Sequence, residues 1–196
     1  DPPKGLTYDR FEHSYASELL RSAVVSAVSS LDKYFHDRTL NRCFSLLNGP
    51  EKNVPKKLKK LEFPAIQAFK ATKKIRKDPR ARPGSQLKIA LQDKLHSMTF
   101  QNSSGIDTCA QLMGLKNFWT EVANEMGGDW NTQEIKDQLH AIVLRRNQIV
   151  HEADLERKIS SKRFALRDID KSFAEETVDF VSSFVKAVDS VIEDQS

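Results

Sequence analysis

One short run concentrates side chains that can do chemistry: Leu144-Arg145-Arg146-Asn147-Gln148-Ile149-Val150-His151-Glu152. A guanidinium is permanently charged and holds oxyanions through paired N–H donors. An imidazole, with an ordinary pKa near 6.5, exchanges protons at neutral pH. If the run is helical, at about 100° per residue, Arg146 falls near the centre of an apolar stripe of Leu139, Ile142, Val143, Val150 and Ala153. Arg145 then points to solvent. His140, Leu144, Asn147 and His151 form a second stripe about 130° round the helix, with Asn147 and His151 one turn apart. An arginine on an apolar stripe needs acceptors, because stripping it of water costs several kcal/mol. The expected counterion is Asp32, with Glu18 on the same edge of the first helix as a supporting carboxylate. On these residues alone two outcomes stay open. Either Arg146–Asp32 is a buried ion pair that fixes helix register and His151 is a surface residue, or Arg146, Asn147 and His151 form an active site.

The elements that must position these residues are helical. Leu20, Val24, Ala27, Leu31 and Phe35 repeat at three-to-four-residue spacing, which predicts a first helix from near Ser14 through Leu31. It continues, with a kink allowed, through Thr39–Leu47 until Gly49-Pro50 stops it. Residues 48–64 read as a loop with a lysine run, and Ala65–Lys77 as a weaker, very basic helix broken by Pro79, Pro83 and Gly84. Ser85 caps a helix over about Leu87–Met98. Asn102–Gly105 is a turn, Asp107 begins a short helix, and Phe118–Met126 is another, closed by Gly127-Gly128. Asn131 with Glu134 has capping-box spacing ahead of Ile135, Leu139, Ile142, Val143 and Val150. The last helix covers about Ser172–Ile192, with Phe173, Val181, Phe184, Val185 and Val188 inward. No segment alternates convincingly, so no sheet is expected. The expected fold is all-α: an up-and-down bundle of four to five long helices forming one domain over residues 1–196, with a basic insertion at about 48–84.

Composition narrows the function classes. No apolar run approaches the roughly 18 residues that cross a bilayer, and no basic-then-apolar leader opens the chain. The two cysteines, Cys43 and Cys109, have no metal-ligand spacing and read as buried thiols. Reduced thiols of that kind fit a cytoplasmic protein, and the five histidines are ungrouped, so neither a metal nor a cofactor is expected. The net charge of +4 hides an uneven distribution. Lys56 to Arg82 holds 11 basic and two acidic residues, whereas Glu152 to the end holds 11 acidic and seven basic ones. Lys56, Lys57, Lys59, Lys60, Lys73, Lys74 and Arg76 are the candidate RNA-binding residues of that stretch. A solvated basic insert without a ligand is the alternative.

An arginine followed by asparagine and then, after Gln148, by two apolar residues and His-Glu, late on a capped helix of an all-α chain, resembles the HEPN superfamily. Ser17–Val24, Ser30–Tyr34 and Leu144–Leu155 together are similar to its RiboL-PSP-type branch, whereas Lys56–Arg82 has no counterpart there. The resemblance implies a metal-independent endoribonuclease, often of a toxin–antitoxin or antiphage system, with an antitoxin or regulatory protein as a possible partner. It implies that Arg146, Asn147 and His151 form the active site and that the enzyme acts as a homodimer on RNA. It also covers inactive members that serve as binding or dimerisation modules. RNA carries its own nucleophile, the 2′-hydroxyl, so such a site supplies proton transfer and charge stabilisation. The products would be a 2′,3′-cyclic phosphate and a 5′-hydroxyl.

Overall fold

Between residues 8 and 48 the chain has neither glycine nor proline, and apolar side chains recur every three or four positions. A computed structural model describes residues 8–66, 69–70, 73, 84–128, 130–152, 154–158 and 163–195. In it the stretch is one uninterrupted helix, α1 (Tyr8–Asn48). Val24, Val28, Leu31, Phe35, Thr39 and Cys43 run down one side of α1 and are fully buried. This single stripe makes α1 the axis against which the other elements pack.

Among the described residues, four helices lead from the insertion to a short hairpin segment and a fifth follows it. The first four are α3 (Gly84–His96), α4 (Ser103–Met113), α5 (Phe118–Met126) and α6 (Thr132–His151), with α2 (Lys56–Lys59) inside the insertion itself. The last helix is α7 (Lys171–Asp194). Helices α3, α4, α6 and α7 all pack on α1, and α5 fills the space against α6 and α7. Phe184 of α7 lies stacked on Phe180 and Trp119 and tilted against Phe35, which joins α1, α5 and α7 in one core.

The ends of these helices follow local chemistry. Asn102 accepts a hydrogen bond from Gly105 N at 2.8 Å and starts α4. A side chain at Gly105 would meet Thr99 O at 2.1 Å, so only glycine fits that approach. Asn131 and Glu134 form the expected capping box on α6. Arg42 of α1 closes two helices at once, donating to Met113 O at 2.9 Å and Ile192 O at 3.2 Å. These are terminal carbonyls that the helices themselves leave without donors.

The structure differs from the expectation in two places. A short antiparallel hairpin, β1 (Leu155–Lys158) with β2 (Arg163–Leu166), follows α6, with Leu155 opposite Leu166 and Lys158 opposite Arg163. Its sequence lacks both alternation and a Gly, Pro, Asn or Asp turn signal, so nothing local announces it. The insertion is also more than a loop. Leu58 of α2 is buried, and Val54, Leu61 and Phe63 pack against the core. Lys56, Lys57, Lys59 and Lys60 remain exposed around that anchor. The described residues from 65 to 73 are helical and exposed. Among the described residues, no helix is long and apolar enough to cross a membrane.

Candidate active site

Helix α6 enters the core through Ile135, Leu139, Ile142 and Val143, and then its apolar stripe lifts away. Val150 is 45% exposed and Arg146 is half-buried, so neither continues the core as the helical spacing predicted. Ala153 lies outside the described residues. The reason is the surface that α6 meets. Going back along α1 from Val24, the stripe 35–31–28–24 reaches Arg21, a buried charge, instead of another apolar residue. The last turns of α6 therefore face ions.

Those ions form a clasp around Asp154, which is 1% exposed. Its carboxylate accepts from Arg21 Nε at 2.6 Å and from both terminal nitrogens of Arg145. Arg21 also donates to Arg167 O at 2.8 Å, and Arg145 to Asp168 O at 3.1 Å. Burial by itself pushes the Asp154 carboxyl up, but the hydrogen bonds and charges of Arg145 and Arg21 outweigh it and hold it below the ordinary aspartate value.

Both sequence assignments of the buried pair are therefore corrected. Arg145, expected in solvent, is the paired arginine, and Asp154, not Asp32, is the counterion. Asp32 accepts from Phe100 N at 2.7 Å and lies 3.5 Å from His36. It sits 11 residues beyond Arg21, or about 16 Å farther along α1, well away from the end of α6. Glu18, the other supporting carboxylate, takes Arg21 as its partner at 3.0 Å and does not pair with Arg146. Arg21 is legible in the sequence, on the same edge of the first helix as Glu18 and Asp32, one three-residue step beyond Val24; its pairing with Asp154 is not.

Relieved of a structural role, Arg146 is placed differently. Its Nη1 donates to Asn147 Oδ1 at 3.1 Å, and its buried Nε has no hydrogen-bond partner among the described residues. Among the described residues, no carboxylate forms an ion pair with it. His151 is exposed and is the last residue of α6. It stands about 7.5 Å along and 140° round the helix from Arg146. The stripe expected outside the core is outside it: His140, Leu144 and His151 are exposed and Asn147 is half-buried. Helix α6 thus carries a half-buried guanidinium bonded to its neighbouring carboxamide and, about 140° round the same helix, an accessible imidazole, so a single copy of α6 does not bring the arginine and the histidine together. A guanidinium so placed can take a phosphate, and the imidazole can move a proton.

The basic residues are not part of this constellation. Leu47 of α1 lines a cavity of about 290 Å³ together with Leu58 and Lys59, so α2 sits at the far end of α1. From Arg21 to Leu47 is about 40 Å of helix. Lys73 is exposed, and Lys74 and Arg76 lie outside the described residues.

Comparison with known proteins gives one finding: a family model described as RiboL-PSP-HEPN matches residues 5–194. Neither the curated proteins nor the solved structures gave a match.

Proposed function

Because the chain belongs to the RiboL-PSP-HEPN family, a membership that suggests a nuclease or RNA-binding role, we propose that it is a metal-independent endoribonuclease. The observation that carries this reading is Arg146, which has no carboxylate partner among the described residues and is bonded to Asn147 on the helix that ends in exposed His151. In the proposed reaction the RNA 2′-oxygen attacks the adjacent phosphorus while an imidazole takes the 2′-proton. Arg146 holds the phosphate oxygens and stabilises the added negative charge. The bond to the 5′-oxygen breaks, and that oxygen is protonated as it leaves. The ends are a 2′,3′-cyclic phosphate and a 5′-hydroxyl. The nucleophile comes from the substrate, so the reaction does not call for a metal-activated water.

Two proton transfers need two acid–base groups, and one chain offers one His151 here. We place the working site between two copies of the chain that meet along α6, where a second imidazole joins the first. Exposed Leu144 and Val150 supply apolar contact area beside the polar groups. The resemblance supports a cytoplasmic toxin or antiphage effector restrained by an antitoxin or regulatory protein.

The test is cleavage of a mixed RNA pool in excess EDTA by wild type and by His151→Ala. Wild type should produce cyclic-phosphate ends and His151→Ala should produce none. Intact RNA with both proteins, bound equally well, would make the chain an RNA-binding module instead. Activity that requires added Mg²⁺ or Mn²⁺ would overturn the mechanism.

A further inference from the structure

The three candidate residues lie between the two ends of a single ion cluster: Arg145 directly precedes Arg146, and Asp154 follows His151 by three residues. Arg145 is one step, about 100°, from Arg146, so its anchorage sets the rotation of α6 about its axis and hence the direction of Arg146 and Asn147. At the other end, His151 is the last helical residue, where helices fray. Two backbone donors secure the turn behind it, both on Gln148 O: Glu152 N at 3.1 Å and Asp154 N at 3.0 Å. Asp154 O in turn accepts from Arg167 N at 2.8 Å, which ties the base of the hairpin to the same point.

The backbone of Asp154 sharpens the argument. Its φ of 53° lies in the left-handed region, where glycine would sit without strain. Aspartate is among the few side chains that enter this region readily, and here its carboxylate also makes contacts that glycine could not. These contacts reach Arg21 on the first helix, 133 residues away in sequence, and Arg145 on the sixth, nine residues away.

We propose that Asp154 is the positioning residue of the site: by clasping Arg21 and Arg145 it fixes the turn that ends α6 and so the place of His151. Asp154 does not touch the reacting atoms. The inference rests on the ribonuclease reading for its purpose, but its physical content is tested without catalysis.

Two measurements do this. In the unaltered protein, amide exchange should protect the backbone N–H groups of Glu152 and Asp154 within about tenfold of those of the buried turn around Leu139. Exchange at the free-chain rate would overturn the clasp even if the variant below does not fold. In Asp154→Asn, the ring resonance of His151 in the folded population should broaden or split, whereas that of His140, earlier on the same helix, should not change. RNA cleavage should fall about 100-fold in kcat, with KM within about twofold, as expected for a displaced catalytic group. A partly unfolded variant loses kcat but leaves the folded His151 signal unchanged, so an unchanged signal overturns the proposal. If the wild type leaves RNA uncut, the ribonuclease reading fails, and the exchange and resonance data still decide whether Asp154 holds His151.

Discussion

Adjacent arginines on one helix have opposite fates here, and the difference lies in what each one faces. Arg145 gives both terminal nitrogens to buried Asp154 and is a structural cation, whereas Arg146 has no carboxylate partner among the described residues and is the cation we propose for the substrate. Their alanine variants should separate accordingly. Arg145→Ala leaves Asp154 short of a partner in a buried site and should cost about 3 kcal/mol in urea unfolding. Arg146→Ala should cost well under ~1 kcal/mol while removing cleavage. Equal costs would mean that Arg146 is structural after all. Asp154 also sets a pH dependence. Its folded pKa is lowered, so its contribution to stability is complete above the unfolded value, near 3.9, and is lost as pH falls through the folded value. Unfolding curves between pH 6 and pH 3 should therefore fall less steeply for Asp154→Asn than for wild type. Parallel curves would contradict the clasp.

At the scale of elements, α6 has two functions along its 20 residues. Its first half is a core helix, capped by Asn131 and Glu134 and buried through Ile142. Its second half leaves the core and presents polar groups, because its neighbour α1 changes from valine to arginine at the same level. The insertion is a separate element with its own anchor, Leu58, and its exposed lysines ring that anchor at the far end of α1. We expect these lysines to hold RNA by its phosphates, without reading sequence. Replacing Lys56, Lys57, Lys59 and Lys60 with Gln should weaken binding of long RNA and reduce the salt slope by up to about 0.7 per lost contact. Oligonucleotides too short to span about 40 Å should be cut at the wild-type rate, since that is the length of α1 between the two regions. A change in short-substrate cleavage would show that the insertion folds back onto the site.

For the whole molecule the deciding question is assembly. A site built along α6 by two copies pools two guanidiniums and two imidazoles, and it can be probed by mixing chains. Arg146→Ala and His151→Ala should each be inactive alone. Co-refolded together, they should recover part of the activity if an arginine of one copy works with a histidine of the other. Light scattering should report a dimer at the concentrations assayed. A stable monomer that still cuts RNA would refute the composite site.

Helix positions, caps and the run Arg146, Asn147, His151 were legible in the sequence because they depend on neighbours within four residues: spacing buries one face, and Asn131 or Asn102 satisfies the donors of the turn it starts. The same local information places His140, Leu144 and His151 outside the core. It does not show which charge meets which. A helical wheel gives the angle of a side chain but not the surface opposite, so it buried Arg146 and freed Arg145. The tertiary structure leaves both half-buried and gives the ion pair to Arg145, because the level at which α6 crosses α1 sets Arg21 near Arg145, and a carboxylate arrives there from a turn beyond the helix. The hairpin was hidden for the same reason, since Arg167 N on Asp154 O and Arg21 on Arg167 O hold its base from outside the strands. What the chain encoded locally is where its charged and polar groups stand along each helix; the long-range clasp decides which of them are tied into ion pairs and which are not.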